Sequence, residues 1–192
     1  MPKQVVAQSV LLFDRWTQEP KGMRSDGLVP ENDIGIASAP TVLQANGISA
    51  CTCLMLWDKK TKTGLLVQIP KEDGVLDAIS TKKYSILDDN LYKIMKLFLS
   101  HAQGKEMPLN LDSDRDYMRE NVVARVFGGE ESGLSHIYAA TVRRVREKIK
   151  GFLQEHLDGG NIDGAFGAHA DEIRFDTSDG RISGRGIGVS LD

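Results

Sequence analysis

Apolar residues in this chain follow two different periods, and this contrast constrains the fold more than any other feature. Two long segments, 86–102 and 135–157, carry apolar side chains every three or four residues. That spacing is typical of a helix with one buried face. The second helix is expected to bury Ile137, Val142, Val145, Ile149, Phe152 and Leu153. Short apolar runs bounded by glycine, proline or polar turns lie around the two helices and indicate buried strands.

The predicted strands occur before, between and after the two helices. They cover 34–37, 41–43, 50–57, 65–69, 122–127, 172–176 and 181–189. The polar turn DKKTKTG joins the third run to the fourth, and TSDG joins the last two, so each pair is predicted to form a hairpin. The order strands, helix, strand, helix, strands predicts an α/β fold, a mixed β-sandwich with flanking helices.

The length of the chain fits a single domain. It has 192 residues, which lies within the range of single domains, whose lengths cluster near 100–150 residues. Residues 5–16 form an edge strand or a short helix, and residues 18–32 hold two prolines, two glycines and several charges. That second composition is typical of a connector. We therefore assign residues 1–32 to an N-terminal extension and linker, and residues 33–192 to the folded domain.

The charge balance argues against a dedicated nucleic-acid binder. The chain has 24 basic and 27 acidic residues and a net charge of −3, whereas nucleic-acid binders usually carry a basic stripe. The strongest basic run lies on the second predicted helix, at Arg143, Arg144, Arg146, Lys148 and Lys150. Because it lies beside an apolar face, we interpret it as a solvated helix surface.

The two cysteines, Cys51 and Cys53, are too close in sequence to close a disulfide without distorting the backbone. No nearby cluster of Cys and His has zinc spacing, and Asp171, Glu172 and Asp176 are spread along a strand, which favours solvated side chains over a metal site. We expect no metal and no cofactor. Free thiols suit a reducing cytosol. The chain also lacks a signal-peptide pattern and any window of 18 apolar residues, so a cytoplasmic protein without membrane insertion is predicted.

The segment PTVLQANGISAC (40–51) holds the most informative pattern. A glycine-containing loop leads to Cys51 at the start of a strand, and Asp58 and Gly64 follow before the returning strand. Together with Pro40 and Gly47, this order resembles the CheD family, the chemoreceptor glutamine deamidases of bacterial chemotaxis. The strand ARVFGG, the following helix and the closing hairpin DTSDGRISGRG continue the resemblance, which covers residues 33–192.

The resemblance implies a cysteine nucleophile, a histidine base and a threonine that orients the histidine. Cys51 occupies the nucleophile position, but the histidine position is Gln68 and the threonine position is Ala45. A glutamine side chain does not accept a proton at neutral pH, so Gln68 does not replace a general base. The resemblance therefore predicts the fold more strongly than the activity.

Four histidines could supply a base from elsewhere in the chain. His101 and His156 lie near predicted helix ends, where a capping or solvated role is expected, and His136 opens the second helix. His169 lies in GAFGAHADE, where the family has a loop that lines the active-site cleft. It is the candidate for a relocated base. Cys51 also has an ordinary interpretation, because a free cysteine at a strand start is commonly a small buried hydrophobe.

Two functions follow from these observations. The first is a degenerate CheD-like protein, inactive or weak, that keeps a binding role in chemotaxis or signalling; its partners would be chemoreceptor helices or a CheC-like phosphatase. The second is an active cysteine amidohydrolase with Cys51 as nucleophile and a relocated base such as His169. A third interpretation is an unrelated thiol hydrolase, because bacterial toxin deamidases place Cys and His on a scaffold that resembles this family.

Overall fold

Ten strands form two sheets in the part of the chain that the structure describes. A computed structural model describes residues 9–79, 85–106, 110–131 and 134–185. The strands are β1 (Val10–Asp14), β2 (Pro20–Arg24), β3 (Asp33–Ser38), β4 (Val42–Ile48), β5 (Thr52–Asp58), β6 (Thr63–Ile69), β7 (Val122–Gly128), β8 (Ile162–Phe166), β9 (Ala170–Asp176) and β10 (Ile182–Arg185). The larger sheet has seven strands in the order β2-β1-β3-β6-β5-β7-β8, and the smaller has three in the order β10-β9-β4. Neighbours pair antiparallel except β7 and β8, which are parallel.

Four helices accompany the sheets in the described part of the chain. They are α1 (Glu72–Ile79), α2 (Ile86–Gln103), α3 (Arg115–Asn121) and α4 (His136–His156), and a short 3-10 turn follows at Gly159–Asn161. The apolar residues predicted for the stripe of α2 are buried. In α4 the stripe is buried from Thr141 onward, but Ile137 is 75% exposed. The expectation that Ile137 is a core residue is wrong, because the first turn of α4 is exposed to solvent.

The larger sheet is the middle of three layers. In β5, Leu54 and Leu56 belong to the core shared with α2 and α4, whereas Cys53 and Met55 belong to the core shared with the smaller sheet. Successive side chains of a strand point to opposite faces, so a strand covered on both faces is apolar throughout. This layering explains the unbroken apolar run in the sequence. It confirms the predicted single-domain α/β sandwich.

Residues 10–24 take part in the larger sheet. β1 pairs with β3 and also with β2, so the segment that the sequence assigned to an extension and linker continues the sheet by two strands. Arg15, next to the end of β1, is 1% exposed and ion-paired with Asp73 of α1. The proposed boundary between residues 32 and 33 therefore falls between paired strands. Residues 1–8 and 186–192, including the end of the predicted strand 181–189, lie outside the described residues.

Four strands and helices have no counterpart in the sequence prediction, namely β2, α1, α3 and β8. Helix α1 buries acidic side chains and exposes apolar ones. Asp73, Gly74 and Asp77 are buried, whereas Leu76 and Ile79 are exposed. The interior position of its acids depends on partners far away in sequence, such as Arg15. Helix α3 lies in the polar stretch between the two helices that the sequence predicts, and it contributes the buried Met118.

Candidate functional site

Three glycine-containing segments meet around Cys51. Cys51 lies in the bend between β4 and β5, one residue before β5 begins. The backbone N–H of Gly129 donates to the carbonyl oxygen of Cys51 at 2.8 Å, and that of Glu130 donates to Ser49 at 3.0 Å. The N–H of Gly167 donates to the carbonyl oxygen of Gly128 at 2.8 Å. The bend is therefore held against the end of β7 and the segment after β8.

Gly128 is required at the closest approach within this cluster. It has φ +97°, and a Cβ atom at this position would collide with the carbonyl oxygen of Cys51, well inside the 3.0 Å that real Cβ atoms keep. A positive φ favours glycine, since it has no Cβ to clash with its own backbone. The Gly-Gly pair noted in the sequence thus allows the end of β7 to contact the Cys51 bend directly.

The side chain of Gln68 faces the Cys51 thiol. In the β5–β6 ladder Cys53 lies opposite Gln68, so Cys51 and Gln68 are diagonal neighbours at the end of one hairpin. The Sγ atom lies 3.6 Å from Gln68 Oε1 and 3.9 Å from the carbonyl oxygen of Gly47, and the nearer Gln68 oxygen accepts its single S–H proton. Gln68 is 4% exposed and Cys51 is half-buried. The structure thus brings together two of the three predicted site residues.

The surroundings of Cys51 favour the protonated thiol. Burial raises the pKa of Cys51, because a thiolate is poorly solvated there. Hydrogen bonds from the backbone N–H groups of Ser49 and Cys51, and to a smaller extent the Lys71 ammonium, offset a part of that rise. The Gln68 oxygen that accepts from the sulfur interacts with the S–H group and not with a thiolate. Burial also raises the pKa of Cys53, well above its ordinary value.

His169 lies in the same loop cluster but binds a different group. Its Nδ1 lies 3.1 Å from Oε2 of Glu130, the residue whose backbone N–H contacts Ser49. His169 is partly buried, as is Glu130. The imidazole is thus connected to the Cys51 bend through the Glu130 backbone, and its ion-pair contact is with a carboxylate.

The remaining histidines lie away from Cys51. The ring of His101 packs edge-on against Phe13, with 5.1 Å between centroids, and His136 is exposed at the start of α4. His156 is 6% exposed and packs on Phe152, so its expected solvated role is wrong. The imidazole packs on the Phe152 ring, one helical turn earlier in α4. The position of His156 near a predicted helix end does not reveal this contact. Its burial lowers its pKa.

Sequence reasoning missed a group of residues at the start of α1 and α4, of which Lys71 interacts with the Cys51 thiol through its charge. The Lys71 ammonium lies 5.6 Å from the centre of the Tyr138 ring. Tyr138 is 49% exposed and adjoins the exposed Ile137. We call Lys71, Ile137 and Tyr138 the first-turn patch. The sequence places Lys71 three residues after Gln68, and so near the candidate site. The contact between Lys71 and Tyr138 of α4 depends on tertiary packing, which the sequence does not show.

The basic run on α4 is largely neutralised by acids. Four of its five cations contact carboxylates: Arg143 and Arg146 contact Glu131, Arg144 contacts Asp77, and Lys148 contacts Asp88. Among the described residues, no group of three or more His, Cys, Asp or Glu side chains is placed to hold a metal ion. Over the same residues, no helix is both long enough and apolar enough to cross a membrane.

Comparison with solved structures gives a remote structural likeness. No family model matches the chain, and no curated protein matches it. A solved structure titled Bacillus licheniformis hypothetical protein YfiH is similar at 9% sequence identity and a TM-score of 0.41. The match covers 68% of this chain and 49% of that one, so the chain spans about half the length of this neighbour. The likeness assigns no family, and the CheD resemblance continues to depend on the sequence motifs alone.

Proposed function

We propose that this protein is a catalytically silent relative of the CheD deamidases that binds a helical segment of a signalling partner. One observation carries the proposal: the Cys51 thiol donates to the amide oxygen of Gln68, at the position where the family has its histidine. An amide in this place holds the proton on sulfur. A general base would remove it.

Two further features support the loss of turnover. Ala45, at the family's threonine position, is fully buried opposite Ile173 in the β4–β9 ladder and has no hydroxyl to orient a base. His169 contacts Glu130. Loss of a positioned acid–base group lowers an enzymatic rate by about 10²–10⁴-fold. We therefore expect glutamine deamidation to be at least about 100-fold slower than in a homologue with all three groups.

The first-turn patch supports a retained binding role. Ile137 extends the core-facing stripe of α4 beyond the region where other elements cover it, and it is 75% exposed. Tyr138 lies beside it, and the Lys71 ammonium lies over the Tyr138 ring. An apolar side chain on one face of a partner helix would cover Ile137. The resemblance supplies the candidates, namely chemoreceptor helices and a helix of a CheC-like phosphatase.

Peptide binding tests this role. Fluorescence anisotropy would follow labelled peptides from a chemoreceptor cytoplasmic helix and from a CheC-like phosphatase helix as the protein is added. We expect Ile137→Asp to weaken binding by at least tenfold, about 1.4 kcal/mol, because a charge replaces a central apolar contact. Met23→Asp is the matched control, since Met23 is 69% exposed on β2. Equal effects of the two variants, or no binding of either peptide, would refute the binding role.

The second candidate function is an active cysteine amidohydrolase with His169 as base. The observation that favours it is the shared loop cluster, in which Glu130 contacts both His169 and the Ser49 backbone. Ammonia release by the unmodified protein that disappears in His169→Ala, while thermal stability is unchanged, would establish this function and reject the silent one.

A further inference from the structure

The contact between Cys51 and Gln68 places two reactive partners in one chain. A thiol and a carboxamide are the reactants of a deamidase, where the carboxamide belongs to a substrate. Here the carboxamide belongs to the protein itself, with its oxygen 3.6 Å from Sγ. The β5–β6 ladder pairs Thr52 with Ile69 and Cys53 with Gln68, so this proximity is fixed by the sheet.

We propose that Cys51 and Gln68 form an internal thioester. The Sγ atom of Cys51 bonds to Cδ of Gln68, and the Cδ–Nε2 bond breaks. The thiol proton moves to the departing nitrogen, which leaves as ammonia. No electron is gained or lost, and no second reactant is needed. This proposal does not depend on whether the protein binds a partner helix.

The surroundings suit a reaction that happens once in each molecule. Groups held in contact react as if at very high concentration, which compensates for a poor nucleophile. Burial raises the pKa of Cys51 and so slows the attack, but a single maturation step has no need of enzymatic speed. Ammonia diffuses away and is diluted, which favours the product side.

A thioester at this position would be a site for covalent capture of a primary amine. Attack by an amine at Cδ of Gln68 would form a substituted amide and release the Cys51 thiol. The sulfur at the bend is half-buried, so an amine reaches the thioester from the side of the sulfur. The chemical class of ligand is thus a small primary amine or an exposed lysine of a partner protein.

Methylamine and peptide mapping test the proposal. The full-length protein would be incubated with methylamine, denatured and digested with trypsin, and the peptide 63–71, which contains Gln68, would be analysed by mass spectrometry. We expect a methylamide at Gln68. We also expect the number of titratable thiols in the denatured chain to rise from one of the two cysteines to both after methylamine treatment.

Three variants make the result specific. Cys51→Ala and Gln68→Glu should each abolish the methylamide, whereas Cys53→Ala should keep it, because Cys53 is the neighbouring thiol without the contact. A Glu at position 68 that appears in the wild type but not in Cys51→Ala would also support the proposal, as the hydrolysed thioester. An unmodified Gln68 with both thiols titratable from the start would overturn it, as would a methylamide in Cys51→Ala.

Discussion

Replacing Gly128 with alanine should destabilise the protein through the Cys51 bend. The added Cβ atom would lie against the carbonyl oxygen of Cys51 and 2.9 Å from Cγ2 of Ile48. A backbone carbonyl cannot rotate away as a flexible side chain does, so the bend must move. That movement also strains the hydrogen bond from Gly129 to Cys51.

The magnitude follows from three contributions. A positive φ costs a non-glycine residue about 1–2 kcal/mol. Loss of one backbone hydrogen bond costs about 1 kcal/mol, and a crowded core adds about 1–3 kcal/mol. We therefore expect Gly128→Ala to lower the free energy of unfolding by about 3–6 kcal/mol in total.

A second glycine separates the backbone strain from the collision. Gly104, at the end of α2, has φ +63°, and a Cβ atom there would meet nothing within 4 Å. Gly104→Ala should therefore cost only the conformational strain, about 1–2 kcal/mol. Urea denaturation of both variants, followed by circular dichroism, gives the two free energies. If they were equal, the argument from close approach would be refuted.

Three further predictions concern buried groups. Asp73→Asn should cost about 3–5 kcal/mol, because it leaves Arg15 charged and buried. Asp26→Asn, in a solvent-exposed ion pair, should leave the stability almost unchanged, and thermal melts compare the two variants. The pKa of His156 is lowered in the folded state, so the unfolded chain takes up the proton first, and the free energy of unfolding should fall as the pH drops below about 6.5. His156→Gln should reduce this pH-dependent loss of stability in urea titrations from pH 7 to pH 5. In Gln68→Met, which removes the carboxamide, the rate at which iodoacetamide labels Cys51 should be slow and should rise only above about pH 9. Fast labelling near pH 6.5 would contradict the raised pKa of Cys51.

The sequence predicted those helices and strands whose apolar residues lie on the faces that other elements bury. Strand β5 and helix α2 are apolar where they are covered, so period and composition indicated both correctly. Helix α1 could not be predicted in this way, because its interior face is acidic and its outer face carries Leu76 and Ile79. That orientation is stabilised by the tertiary partners of its acids. Arg15 contacts Asp73, and Ser85 and Arg144 contact Asp77.

The candidate site was predictable to the extent that it lies within one hairpin. The turn between β5 and β6 sets the register, and the register sets the contact between Cys51 and Gln68. The position of His169 depends on the parallel pairing of β7 with β8 and on Glu130, which have no signal in the local sequence. The first-turn patch likewise depends on how α1 packs against α4.

Ammonia release from glutamine-bearing receptor helices tests the central claim, that a Cys51 thiol facing an amide does not turn over substrate. A coupled glutamate dehydrogenase assay would compare the unmodified protein with the double variant Gln68→His, Ala45→Thr. We predict that the unmodified protein releases at most one equivalent of ammonia per chain above the Cys51→Ala background, and that the double variant sustains a rate about 100-fold or more above any residual rate. Sustained, Cys51-dependent ammonia release by the unmodified protein, beyond one equivalent per chain, would contradict the account.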